Sequence, residues 1–279
     1  MAWSDLFNFD NYAELLPLVR NSIIAGAFLG VVGGVVGVLV MTRDLPFAVH
    51  GISELSFAGA SGALLLGSSV IGGAFVGSVV AALLIGLLGM RARDRNSIIG
   101  VIMPFGLGLG ILFLSLYEGR AANKFGLLTG QIVAIDNTSL RTLVITAVAI
   151  LLVLAVIWRP LMFASVDPQM ATARGVPVRT LGLLFMLVLG CAVAISVQVV
   201  GALLILALLV TPAAAAMRVS ASPVVVPVLA VLFALTAVLG GILVSLGTSI
   251  PISPYVTTIS FLIYVICRVG AGRLRTVHA

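Results

Sequence analysis

IIAGAFLGVVGGVVGVLVM, Ile23 to Met41, runs for 19 residues without a charged or polar side chain. Wound as a helix at ~1.5 Å per residue it spans nearly the whole ~30 Å hydrocarbon core of a bilayer. Its glycines fall in rows: Gly26, Gly30 and Gly34 recur every four residues, and Gly33 with Gly37 forms a parallel row. In lipid the burial of apolar surface no longer drives helices together, so rows of small residues matter because they let backbones approach. The stretch therefore reads as a membrane-spanning helix packed against other helices, and Gly73 with Gly77 repeats the spacing further on.

Comparable apolar segments fall at Leu16 to Met41, Leu45 to Gly67, Val70 to Met90, Ile98 to Leu116, Leu143 to Trp158, Leu181 to Val197, Val199 to Met217, Val224 to Leu246 and Tyr255 to Cys267. The expected fold is an all-α integral membrane protein, a polytopic bundle of about eight or nine transmembrane helices forming one domain over residues 1–279. Leu127 to Ile135 and Val199 to Met217 could each be short or re-entrant. Pro104, Pro212, Pro223 and Pro251 are expected to break or end helices, where protein or a water-filled cavity must cover the freed backbone.

Composition agrees, since 61% of the 279 residues are hydrophobic and 9% charged, against about 25% charged in an ordinary soluble domain. A net charge of +6 would suggest nucleic acid in a soluble chain, but these basic residues sit at segment ends and in short loops, so no nucleic-acid partner is expected. With the loop from Arg159 to Arg179 placed in the cytoplasm, Arg43, Arg91, Arg93, Arg95, Arg159, Arg174, Arg179, Arg218, Arg268, Arg273 and Arg275 fall inside; Arg20, Arg120, Lys124 and Arg141 fall outside. That bias puts the N-terminus outside and the C-terminus in the cytoplasm. Residues 1–15 carry acidic groups and no basic run, unlike a cleaved signal peptide; Trp3, Phe7, Phe9 and Tyr12 suit an interfacial segment. Cys191 and Cys267 lie far apart in apolar segments and read as small hydrophobes.

Ionisable residues deep in a bilayer are costly and are functional candidates by default. The best here are His50 and Glu54, in RDLPFAVHGISELSFAGASG. Counted from Arg43 at the membrane edge, they lie ~10 and ~16 Å deep, and their i, i+4 spacing sets them on one helix face. Imidazole and carboxylate together suit a zinc or manganese ion as ligands; the same pair could equally be a structural couple. Asp167 and Pro168 mark a helix start and Gly175 its end before Pro177, giving a short helix between two spans. Lys124 is the only lysine and follows no glycine loop, so no P-loop is present.

Three stretches resemble the permeases of zinc and manganese ABC importers. Arg43 to Gly59 is similar to their second helix, with its pattern near G-D-x-x-S-H. Aligned on Arg43, Ser53 and Gly59, the family's Asp falls on His50 and its His on Glu54, so the pair is swapped in order and kept in kind. VQVVGALLILALLVTPAAAAMR, Val197 to Arg218, resembles V-G-x-L-L-x-x-A-L-L-x-x-P-A-x-x-A over nearly its whole length. VDPQMATARGVPV, Val166 to Val178, looks like the family's coupling segment, D-P-x-x-A-x-x-x-G. Where the family often has an Asp before a late Pro this chain offers Ser249, and a frequent fourth-helix His is replaced by Phe105.

The resemblance implies a type II-like ABC importer permease in the inner (cytoplasmic) membrane. It implies a homodimer, a cytoplasmic ATP-binding subunit docked on Asp167, Pro168, Gln169, Met170, Ala171 and Gly175 within residues 159–179, and an extracytoplasmic metal-binding protein. Zinc or manganese, with iron also compatible, would be cargo rather than a permanent cofactor, and ATP hydrolysis would lie on another chain. Two other readings remain. In a proton-coupled secondary carrier or channel, Glu54 would titrate and His50 would shuttle protons. An intramembrane enzyme would have to use Ser53, three residues from His50, as its nucleophile.

Overall fold

The computed structural model describes residues 17, 19–89, 92–119, 126–127, 135–201, 205–248 and 251–276. The helices are α1 (Arg20–Thr42), α2 (Pro46–Leu65), α3 (Val70–Leu88), α4 (Ala92–Leu116), α5 (Asn137–Val166), α6 (Pro168–Ala173), α7 (Val178–Val200), α8 (Ile205–Leu209), α9 (Thr211–Val219), α10 (Val225–Ser245) and α11 (Ile252–Thr276). Seven of them (α1, α3, α4, α5, α7, α10 and α11) are long and apolar enough to cross a bilayer. α2 is equally long but diluted by His50, Glu54 and many Ser, Gly and Ala residues. Burial compensates, because nearly every residue from Ala48 to Ala63 is shielded by neighbouring helices. Eight continuous helices and the broken pair α8–α9 meet the expected number among the described residues.

Polar contacts at the helix ends fix which termini lie together. Arg43 Nη1 donates to Ser165 Oγ at 2.9 Å, joining the ends of α1 and α5, and Arg95 Nη2 donates to the Asp44 carbonyl at 3.2 Å, bringing in the start of α4. At the other end Asn21 Nδ2 donates to the Ile135 carbonyl at 3.1 Å and to Asn137 Oδ1 at 3.0 Å. Arg43, Arg95 and Arg179, three of the arginines expected inside, line one cavity at one end, while Arg20 and Arg141 belong to the other.

The two glycine rows of α1 serve two different partners. A Cβ on Gly34 would lie 2.5 Å from Val231 Cα, and one on Gly30 3.1 Å from Leu235 Cα, so the first row takes the backbone of antiparallel α10. The second row meets α8: Gly33 lies against Leu208, and Gly37 against the Leu209 carbonyl. Gly59 and Gly73 pack each against the other's carbonyl oxygen, which seats α3 on α2.

The apolar run Val199 to Met217 is divided at Val210 into α8 and α9. Pro212 supplies no N–H to the Leu208 carbonyl four residues back, which weakens the ladder there. The break is covered by protein, as lipid depth demands: Ser260 Oγ of α11 donates to the Ala207 carbonyl at 3.1 Å, and the next two carbonyls abut Gly33 and Gly37.

Two boundary expectations need correction. α5 runs past Trp158 through Arg159 and Pro160 to Val166, so residues 159–166 are helix rather than loop. Thirty residues make a rod of roughly 45 Å, longer than the hydrocarbon core, so the stretch carrying Arg159 projects beyond it. Asp136 caps the opposite end, accepting from the Thr138 and Ser139 amides at 3.1 and 3.4 Å. Pro104 lies inside α4 and does not end it. The interfacial segment expected at residues 1–15 and nearly all of Leu127 to Ile135 lie outside the described residues.

Candidate functional site

The α1–α2 connection is a tight one. Asp44 adopts a left-handed φ of 54°, a conformation short polar side chains tolerate, and Pro46 opens α2 where its missing N–H has no helical partner to lose. One turn further in, α2 presents His50, and one turn beyond that Glu54. Depth follows from the neighbours: the Glu54–Leu55 backbone meets Gly106, close to the middle of α4, and the Leu55 carbonyl meets Gly77, close to the middle of α3. Glu54 therefore lies near mid-height in the bundle.

His50 Nε2 and Glu54 Oε1 are 3.7 Å apart, close enough to attract and too far to share a hydrogen bond. The His50 side chain keeps 26% of its exposure and Glu54 only 5%, so the pair has one shielded member and one that opens outward. His50 Nδ1 and Glu54 Oε2 are both buried without a hydrogen-bond partner. A buried polar atom left unpaired costs about 1–3 kcal/mol, so two on adjacent turns are expensive unless something else meets them. An imidazole nitrogen and a carboxylate oxygen 3.7 Å apart on one helix face are ligand types that can hold a cation between them. Among the described residues no third His, Cys, Asp or Glu completes a cluster. The pair alone gives an incomplete shell, suited to brief contact.

The sequence reading missed Ser61. Its hydroxyl is fully buried and unpartnered, and at seven residues from Glu54 it returns to the same face two turns further on, ~10 Å away. The signal was available, since His50, Glu54 and Ser61 follow an i, i+4, i+11 stripe, but Ser61 sits in a Gly/Ala/Ser-rich run that reads as packing. Ser53 Oγ donates to the His50 backbone carbonyl at 2.8 Å, so this hydroxyl is engaged with its own helix and not with the imidazole. Phe105 is 59% exposed on α4, and Ser249 lies outside the described residues.

The connector between α5 and α7 forms α6 for reasons its residues supply. Asp167 Oδ1 accepts from the Met170 amide at 2.9 Å, and Pro168 occupies the first turn. Arg174 is the C-cap and Gly175 follows with φ 80°. The Gly175 amide donates to the Thr172 carbonyl at 2.9 Å and Val176 to Ala171 at 3.0 Å, the paired bonds of a Schellman stop. Ala171 is buried, while Pro168, Gln169, Met170 and Gly175 are exposed, so this capped turn presents a face at the arginine-rich end.

A polytopic bundle with a broken helix, a buried polar pair at mid-height and an exposed helical turn at one end has the architecture of a membrane transport protein. Residues 16–270 match the ABC 3 transport family, and the chain belongs to it. It is 29% identical over 237 residues to the manganese transport system membrane protein MntC of Halalkalibacterium halodurans, covering 85% of this chain and 81% of that one. It is 24% identical over 261 residues to the high-affinity zinc uptake system membrane protein ZnuB of Haemophilus influenzae, covering 93% and 100%. The fold matches PsaBC from Streptococcus pneumoniae, solved in complex with Fab, with a TM-score of 0.82 at 26% identity over 92% of this chain and 95% of that one.

Proposed function

We propose that this chain is the membrane subunit of an ATP-driven importer for a divalent transition metal ion, zinc or manganese, in the inner membrane. The observation that carries the reading is the His50–Glu54 pair, near mid-height, with Nδ1 and Oε2 both lacking partners. The permease relatives named for manganese and zinc support the same choice of cargo. Two ligands hold an ion weakly enough to release it, and water or a second copy of the pair completes its shell. Ser61 offers a further oxygen along the same stripe toward the outer end.

In this reading two copies of the chain enclose the passage. A separate ATP-binding subunit grips α6 on each copy, through Asp167, Pro168, Gln169, Met170, Ala171 and Gly175. An extracytoplasmic metal-binding protein delivers the ion, and ATP binding and hydrolysis rock the helices so that the pair opens to one side and then the other.

The test is uptake of radioactive manganese and zinc by cells carrying the complete transporter with His50→Ala, Glu54→Gln or both. Each variant should assemble with its ATPase at the wild-type level yet lose uptake by roughly tenfold or more, the scale of one lost charged ligand contact. Wild-type uptake by the double variant would remove the pair from the pathway. Uptake by the purified chain alone in liposomes, driven by a proton gradient, would instead point to a secondary carrier.

A further inference from the structure

Outside the polar pair, a cavity of about 690 Å³ opens at the arginine-rich end, where α1, α3, α4, α5 and α7 converge over α6. Three of its lining residues are Arg43, Arg95 and Arg179. The Arg43 guanidinium is fixed from two sides, by the hydrogen bond to Ser165 Oγ and by stacking 5.6 Å over the Phe185 ring. Arg95 spends one nitrogen on the Asp44 carbonyl, while its Nε is buried without any partner. Among the described residues none of the three arginines pairs with a carboxylate, and the Asp44 side chain is exposed. Burial, and after it the charge of Arg95, pulls the Arg43 pKa below its ordinary value.

Guanidinium groups lining one cavity without a carboxylate partner, one of them keeping an unused N–H, form a receptor for an anion. The rest of the lining says which kind. Leu45, Ile85, Leu183 and Met186 give the cavity apolar walls, which a free inorganic ion would not use. The volume lies within the ~300–1,000 Å³ of pockets that enclose whole small molecules, well above the needs of one carboxylate side chain. Basic pockets between helices on the cytoplasmic side are suited to anionic lipid headgroups, and a phosphate matches the guanidinium fork.

We propose that this cavity is a binding site for the phosphate-bearing headgroup of an anionic phospholipid of the inner leaflet, held by Arg43 and Arg95, with exposed Arg179 at its mouth. Thr172 of α6 lines the same space, so an occupied cavity braces the connector from behind. The proposal stands independently of what the permease carries.

The test uses the full chain, delipidated in detergent, with phosphatidylglycerol, phosphatidylcholine or inorganic phosphate added, read by native mass spectrometry and thermal denaturation. Phosphatidylglycerol should be retained and raise the melting temperature, while phosphatidylcholine and phosphate should not. Arg95→Gln, which leaves the Arg43 contacts in place, should weaken phosphatidylglycerol binding roughly tenfold, and Arg95→Lys should recover part of it. Should Arg43→Gln fail to fold, Arg95→Gln decides alone. Equal retention of the two lipids, an unchanged Arg95→Gln variant, or a full shift from inorganic phosphate would each overturn the assignment. Displacement of the lipid by the ATP-binding subunit would also overturn it, assigning the arginines to a protein carboxylate instead.

Discussion

Single hydroxyls on α2 separate structural from transport roles. Ser56 and Ser61 are both fully buried on one helix, but Ser56 Oγ donates to the Ala74 carbonyl of α3 at 3.1 Å and Ser61 Oγ meets nothing. Ser56→Ala should therefore lose a helix–helix bond worth about 1 kcal/mol and lower the melting temperature in detergent. Ser61→Ala removes only an unpaired group, so its melting temperature should stay level or rise. If Ser61 lends an oxygen to the passing ion, the same variant should transport more slowly despite its stability. A Ser61→Ala protein that melts earlier than wild type would show that the hydroxyl has a structural partner, and would remove it from the pathway.

Close backbone approach, more than apolar bulk, joins the helices, and this makes glycine positions unequal. Gly34→Leu forces a side chain onto the Val231 backbone, which cannot swing aside, so the loss should reach or exceed about 3 kcal/mol, the top of the overpacking range. Gly100→Ala, with no heavy atom within 4 Å of the added carbon, should be tolerated; thermal denaturation of both variants in one detergent checks the contrast. On α6, Gly175→Ala must adopt φ 80° with a side chain, at a cost of about 1–2 kcal/mol, and Asp167→Ala gives up the cap at about 1 kcal/mol. If α6 couples to an ATPase, both should reduce transport per ATP hydrolysed while leaving the bundle's melting temperature nearly unchanged. Much of this was legible in the residues, because the glycine rows and the Asp-Pro start with its Gly stop are local patterns. The course of α5 beyond Arg159 was not. A charge followed by proline reads as an end, and only a helix longer than the bilayer is thick can carry both outside it.

Taken whole, the molecule places its arginines and its broken helix in one consistent topology, and the break at Val210 is the piece that sequence alone left open. A fifteen-residue apolar stretch, 205–219, could dip into the bilayer and return, or could cross. Periodicity cannot tell these apart, since the answer depends on where the following helix begins. The structure answers through α10: Val231 lies beside Gly34, and Ile242 beside Gly26, so α10 starts at the Arg43 end and the loop before it lies there too. With α7 packed antiparallel to α3, Met186 at Gly86 and Gly190 at Ala82, the chain leaves α7 at the opposite end and must cross through α8–α9. By the positive-inside rule, the surplus of arginine leads us to expect the Arg43 end in the cytoplasm. In a background with Cys191 and Cys267 replaced, Ser68→Cys and Ala221→Cys, both exposed, should therefore label from opposite sides. A membrane-impermeant maleimide should reach Ser68→Cys in intact cells and Ala221→Cys only after permeabilisation. Labelling of both in intact cells would make α8–α9 re-entrant and its break a feature of one surface, whereas the reverse order would invert the membrane orientation while keeping the crossing.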